Sequence, residues 1–364
     1  MQTIQSLLQY VVDHTASDLH LIVGTPPIVR IDGNLIAIPG EEALTPQLIE
    51  PLISGVVSPQ QREILAVNKE LDFSIALGEH ARFRVNAYFQ RDSQAASFRL
   101  IPKAIPTIDS LNLPAICHKF TELRQGFILV TGPTGHGKST TLAAILDEIN
   151  HKRPVHIISI EDPIEYVYTA AKAIVSQREV RTDTHSWEIA LRSVLREDPD
   201  VVLIGEMRDY ETIAAALTIA ETGHLVFATL HTNSAAQTID RIVDVFPESQ
   251  QAQVRLQLSG NLEAVFSQRL VPKIGSGRTV AHEVMTGTQA VKTAIREGKT
   301  HMLDNIILTS SEYGMTTLEN SLAALVKSQT ISLETAQSYA MRPGDVTRFL
   351  GSGVVSDRPK VSGL

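Results

Sequence analysis

Cysteine is almost missing: Cys117 stands alone in 364 residues. One thiol can close neither an intrachain disulfide nor a four-cysteine zinc site, so the chain reads as a protein of a reducing compartment. Cys117 itself reads as a small apolar filler. Long apolar runs are missing too. The longest, Phe127–Val130 and Val201–Ile204, have strand length, and none nears the roughly 18 uncharged residues of a membrane span, so no direct membrane insertion is expected. The opening MQTIQSLLQYVVDH has neither a basic stretch nor a small-residue cleavage site, so no secretory leader is expected and the reading is cytoplasmic. Positive charge is short: 32 Lys and Arg face 40 Asp and Glu, a net −8. Surfaces that coat nucleic acid are usually basic, so no nucleic-acid partner is expected.

What remains is an ordinary globular composition, 43% apolar and 20% charged, in a chain long enough for two domains. Ile4, Leu7, Leu8, Val11 and Val12 fall on one face of a helix over 2–13. Short strand-like runs follow at Asp18–Val23, Ile28–Ile31 and Leu35–Ile38, broken by Pro26-Pro27 and Asp32-Gly33. Two helical stretches near 45–54 and 58–67 come next. In 81–89, Phe83, Val85, Ala87 and Phe89 alternate with Arg82, Arg84, Asn86 and Tyr88, a half-buried strand, and Ser97–Ile101 reads as its partner. Residues 1–100 therefore read as a small α+β domain with an antiparallel sheet. The three prolines of 101–114 mark a linker, and the pattern beyond it is βαβα, which predicts an α/β domain with a parallel sheet over 115–349. From about 285 to 345 the chain reads as helical, and 350–364 as a flexible tail.

The chemistry begins at Phe127-Ile128-Leu129-Val130, which runs into Gly132-Pro133-Thr134-Gly135-His136-Gly137-Lys138-Ser139, the G-x-x-x-x-G-K-S phosphate loop, with a helix-forming stretch from Thr140 on. Glycines let backbone N–H groups turn inward around a polyphosphate, and the helix start adds free donors and a positive dipole. Lys138 reaches the β- and γ-phosphates and Ser139 supplies a hydroxyl to Mg²⁺. Residues Gly132 to Thr140 are thus the candidate nucleotide site. The guanine-reading N-K-x-D is missing, since Asn68-Lys69-Glu70-Leu71 ends in Leu and precedes the loop, so ATP is the expected nucleotide.

Three acidic or histidine-bearing strand ends follow. His156–Ile160 leads to Glu161-Asp162-Pro163-Ile164-Glu165, carboxylates placed to orient or deprotonate an attacking water. Val201–Ile204 leads to Gly205-Glu206, which makes Glu206 the candidate Mg²⁺ residue, directly or through water. Leu225–Leu230 is flanked by His224 and His231, one of which should face the γ-phosphate. They stand too far apart along a strand to share a zinc ion. Arg82, Arg84 and Arg99 are either a solvated strand face or a clamp on a neighbouring subunit's phosphates.

These strings together resemble the secretion ATPase superfamily of type IV pili and type II secretion: GPTGHGKSTT, IEDPIE (160–165), LIGEMRD (203–209) and TGHLVFATLHT (222–232). Within it ASDLHL, PPIVRIDG, RFRVNAY, REDPD and VDVFP are similar to the PilT-type retraction branch, and no tetracysteine motif is present. The resemblance covers about residues 1–345 and implies a PAS-like first domain, a RecA-like second domain with a helical C-terminal part, and a homo-hexameric ring with ATP between subunits. It further implies Glu165 as catalytic carboxylate, Glu206 as the Walker B acid, and Arg82, Arg84 and Arg99 as contacts made in trans. The implied work is pilus retraction and twitching motility, with an inner-membrane platform protein as partner at the base of the pilus machine. A type II/IV secretion ATPase and an accessory retraction paralogue share the pattern. His136 stands where the family usually has Ser, and 290–297 departs from the family's C-terminal segment.

Overall fold

A computed structural model of the chain describes residues 3–31, 33–78, 81–101 and 104–351. It divides into two compact units, one of residues 1–105 with 162–169, the other of 106–161 with 170–364. The architecture is α/β.

The first unit is built on one sheet of β1 (Asp18–Leu21), β2 (Ile28–Ile31), β3 (Asn34–Ala37), β4 (Glu70–Leu77), β5 (Ala81–Gln90) and β6 (Ser93–Ile101). Their order is β3-β2-β1-β6-β5-β4, antiparallel throughout. Alternation decides the faces: along β5, Phe83, Val85 and Ala87 are fully buried while Arg82, Arg84, Asn86 and Tyr88 are half-exposed. The helices Ile4–Asp13, Pro46–Ser54 and Pro59–Asn68 lie near the positions the apolar spacing predicts. The last is fixed by a capping box between Ser58 and Gln61. Two strands differ from the sequence reading: β4 is absent from it, and β6 starts earlier than Ser97.

The second unit carries β7 (Gly126–Thr131), β8 (His156–Glu161), β9 (Ile174–Glu179), β10 (Val201–Ile204), β11 (Leu225–Leu230), β12 (Leu262–Pro272) and β13 (Arg278–Thr286) in the order β13-β12-β7-β11-β10-β8-β9. Every pairing is parallel except β12 with β13. All residues of β7, β10 and β11 are buried, as expected of strands covered by helices on both faces. Five helices, Gln289–Arg296, Leu303–Thr309, Leu318–Lys327, Leu333–Tyr339 and Pro343–Leu350, make the C-terminal part. Of the tail expected over 350–364, residues 352–364 lie outside the described residues, as do 102 and 103 of the linker.

The acidic segment departs from the simple two-piece reading. Asp162–Thr169 groups with the first unit although it leaves from β8 of the second. Ile164 and Tyr166 are buried, and Glu165 meets Arg84 of β5 at 3.6 Å.

Just ahead of β7, the ring of His118 lies between two carboxylates, with Nδ1 2.9 Å from Glu148 and Nε2 3.1 Å from Asp109. A ring that donates at both nitrogens is protonated, and the hydrogen bonds to Glu148 and Asp109 raise its pKa above the ordinary 6.5. A raised folded pKa gives stability that is full below 6.5 and is lost as pH rises through the folded value. The thermal midpoint gap between the wild type and His118→Ala should therefore be widest below pH 6.5 and should close on the alkaline side. A gap that does not change with pH would contradict this.

Candidate nucleotide site

In a sheet of parallel strands, every strand ends on the same edge. β7 ends there in Thr131 and the phosphate loop, β8 in Glu161, β10 in Gly205-Glu206 and β11 in His231. This is the ligand edge of an open α/β sheet.

The loop is shaped by its glycines. Gly132 has φ 140°, and a Cβ there would lie 2.3 Å from the carbonyl oxygen of Gln268 on β12. A side chain at this point would push the loop off the sheet, an overpacking cost of about 1–3 kcal/mol before the backbone strain is added. At its far end Gly137, left-handed at φ 82°, is the N-cap of helix Lys138–Lys152 and offers no side-chain cap. The first N–H groups of a helix have no intrahelical partner. An uncapped, positively polarised helix start is what a polyphosphate fits, and the loop is therefore suited to a nucleotide.

Lys138 is 8% exposed, and its ammonium donates to the carbonyl of Gly132 at 2.9 Å and to that of Pro133 at 3.1 Å. It also lies 3.2 Å from His231 Nδ1. An ammonium can only donate, so Nδ1 accepts and Nε2 carries the proton. That Nε2–H donates to Glu206 at 2.9 Å. His231 thereby links the loop to the carboxylate at the end of β10, and Thr134 Oγ1 lies 3.3 Å from the same Nδ1. Glu206 is gripped from its other side by Arg208, Nε at 2.6 Å and Nη2 at 2.8 Å. Burial pushes the Glu206 pKa up, but the hydrogen bond and charge of Arg208, with His231, outweigh it and hold the carboxyl below its ordinary value. Glu206 is thus an anion at neutral pH, as a cation ligand must be. Among the described residues no group of three or more His, Cys, Asp or Glu could hold a metal, so a cation here would depend on phosphate and water for the rest of its shell.

Lys138, Thr134, His231 and Glu206 thus come together. His224 does not: it stands at the opposite end of β11, where Nδ1 meets the Ile219 carbonyl at 3.1 Å and Thr222 Oγ1 at 3.0 Å. Only one end of a parallel strand faces the ligand edge, and of the two flanking histidines it is His231 that stands there. In the first unit, Arg82 and Arg84 share the half-exposed face of β5, Arg82 donating to Ser74. Arg99 binds Asp18 through Nε at 3.0 Å, with its side chain 69% exposed. Arg208 and Gln268 went unread in the sequence. Arg208 is legible only as a cation two residues after Glu206, and Gln268 as a buried amide in an apolar strand.

The family described as Type II/IV secretion system protein matches residues 1–341. Over 340 residues the chain is 48% identical to the type IV pilus retraction ATPase PilT of Pseudomonas aeruginosa, covering 93% of this chain and 98% of that one. Over 339 residues it is 45% identical to a twitching motility protein of Neisseria gonorrhoeae, covering 93% and 90%. A crystal structure of the pilus retraction motor PilT with bound ADP matches with a TM-score of 0.88 at 44% identity, covering 96% of this chain and all of that one.

Proposed function

The chain belongs to the type II/IV secretion system protein family, and from that premise we propose that it is an ATP-hydrolysing motor that retracts type IV pili and so drives twitching motility. The observation that carries the reading is the linked set Lys138–His231–Glu206 at the mouth of the phosphate loop. It sits in a chain similar along nearly its whole length to a protein named for that work.

In this reading Gly132, Pro133, Thr134, Gly135, His136, Gly137, Lys138, Ser139 and Thr140 hold the ATP phosphates, and Ser139 and Glu206 would hold Mg²⁺, directly or through water. Mg²⁺ when bound neutralises charge on the β- and γ-oxygens. Lys138 gives up its hold on the Gly132 and Pro133 carbonyls to reach the phosphates, and His231 reports that change to Glu206 through its ring. Glu165 positions and deprotonates the attacking water. Arg84 holds Glu165 while no stronger anion competes for its guanidinium. Arg82 and Arg99 then serve a neighbouring subunit's phosphates in a six-membered ring. The first unit takes the PAS-like role and the second the RecA-like one, and the family's membrane platform protein is the partner on which ring closure acts, at the cytoplasmic base of the pilus. No helix among the described residues is long and apolar enough to cross a membrane; in this reading attachment runs through the partner.

The reading is tested in a strain that lacks the gene, complemented with wild-type or Glu165→Gln protein. Excess surface pili without twitching, rescued by wild type only, is the expected result. Loss of pili, or intact pili with blocked secretion, would reassign the motor to assembly or secretion.

A further inference from the structure

β12 outruns its neighbour. Its pairing with β7 ends at Ser267 opposite Thr131, yet the strand continues to Pro272. Beyond the last pair, β12 keeps β13 along one side, and the phosphate loop meets it at residues 268 and 270. The Gln268 carbonyl lies under Gly132. The Gln268 side-chain amide donates to the His136 carbonyl at 2.6 Å. The Leu270 N–H donates to His136 Nδ1 at 3.0 Å. An imidazole here accepts a backbone N–H of β12 beyond the point where pairing with β7 has stopped.

We infer that His136 is a positioning residue whose ring fastens the phosphate loop to β12 and so sets the loop geometry that receives the phosphates, an inference that rests on the nucleotide-binding reading above. The side chain points at the strand, so its part is to hold the loop and not to touch the nucleotide. The fastening needs Nδ1 as an acceptor, and a doubly protonated ring has none. The surroundings favour the acceptor form. Burial is the largest influence, followed by the cations that face the ring: Arg269 from β12, Lys138 from the helix after the loop and Arg278 from β13. Together they hold the ring below the ordinary 6.5. At neutral pH the loop is fastened; in acid the ring takes a second proton and lets go of Leu270.

The test is the affinity of the full chain for ADP with Mg²⁺, by titration calorimetry from pH 5 to pH 8. Wild type, His136→Asn and His136→Ala are compared. Asparagine offers an acceptor oxygen near the Nδ1 position and does not titrate. His136→Ala should bind about fivefold more weakly than His136→Asn at every pH, as loss of one hydrogen bond in the loop implies. Wild type should match His136→Asn at pH 8 and fall about fivefold below it towards pH 5. Alanine binding as tightly as wild type at pH 8, or asparagine showing the same acid loss, would overturn the inference. If the alanine variant does not fold, wild type against asparagine still decides. Wild type that binds no ADP at any pH would remove the nucleotide reading itself, and this inference with it. Ordinary wild-type binding with an indifferent alanine would remove the positioning role alone.

Discussion

Lys138→Ala protein should fold normally and release no measurable phosphate from ATP. The ammonium is the centre of the site as it stands, held by two loop carbonyls and facing His231. Each hydrogen bond made by a charged group contributes about 1.5–3 kcal/mol, and preorganised donors at a developing charge are worth more still. Losing the charge together with its contacts should lower turnover by at least about 10³-fold. Truncation also ends the hydrogen bond to the buried Gly132 carbonyl, so the thermal midpoint should fall by about a few degrees while the protein stays folded. Phosphate release measured beside a melting curve checks both halves. Turnover within tenfold of wild type would break the assignment of this loop as the phosphate site.

Glu165→Gln should separate binding from chemistry. The amide keeps the shape of the side chain but cannot take a proton from water, so hydrolysis should fall about 10²-fold or more while ATP affinity holds. Stability gives an internal control. The Arg84–Glu165 pair spans 3.6 Å with side chains 39% and 33% exposed. An ion pair that open to solvent contributes about 0–1 kcal/mol, so its loss cannot account for a hundredfold change in rate. Single-turnover phosphate release and equilibrium binding of ATP to the same preparation are the measurements. Unchanged turnover would hand the catalytic role to another carboxylate, with Asp162 the nearest in sequence and Glu161 next to it.

Much of this site is local in sequence, which is why it can be read there. A phosphate loop is one strand, one turn and one helix in succession, and Gly205-Glu206 and His231 each follow an apolar run whose burial announces a central strand. What joins them is not local. Nothing in the string says that His231 bridges Lys138 and Glu206, because that depends on β10 and β11 lying side by side in parallel. The same gap explains His224. A strand with a histidine at each end is symmetric as a sequence, and only its direction in the sheet breaks the tie. β4 is hard to read although Leu71, Phe73 and Ile75 alternate with Asp72, Ser74 and Ala76, since the helix before it ends at Asn68 and leaves no loop to mark a boundary. β12 escaped for the opposite reason: it is buried on both faces along much of its length, so no alternation marks it as a strand.

The covalent route between the two units has a consequence for dissection. The chain passes from the first to the second at 105–106, returns at 161–162 and leaves again at 169–170. Neither unit is therefore a single stretch that could be cut out and kept whole. A fragment ending at residue 105 would lack the strip bearing Ile164, Glu165 and Tyr166, and a fragment beginning at residue 106 would carry that strip with its apolar side chains stripped of cover. The units are stitched rather than strung. A shuffled hybrid that swapped one front half for another would break the seam that bears the acid.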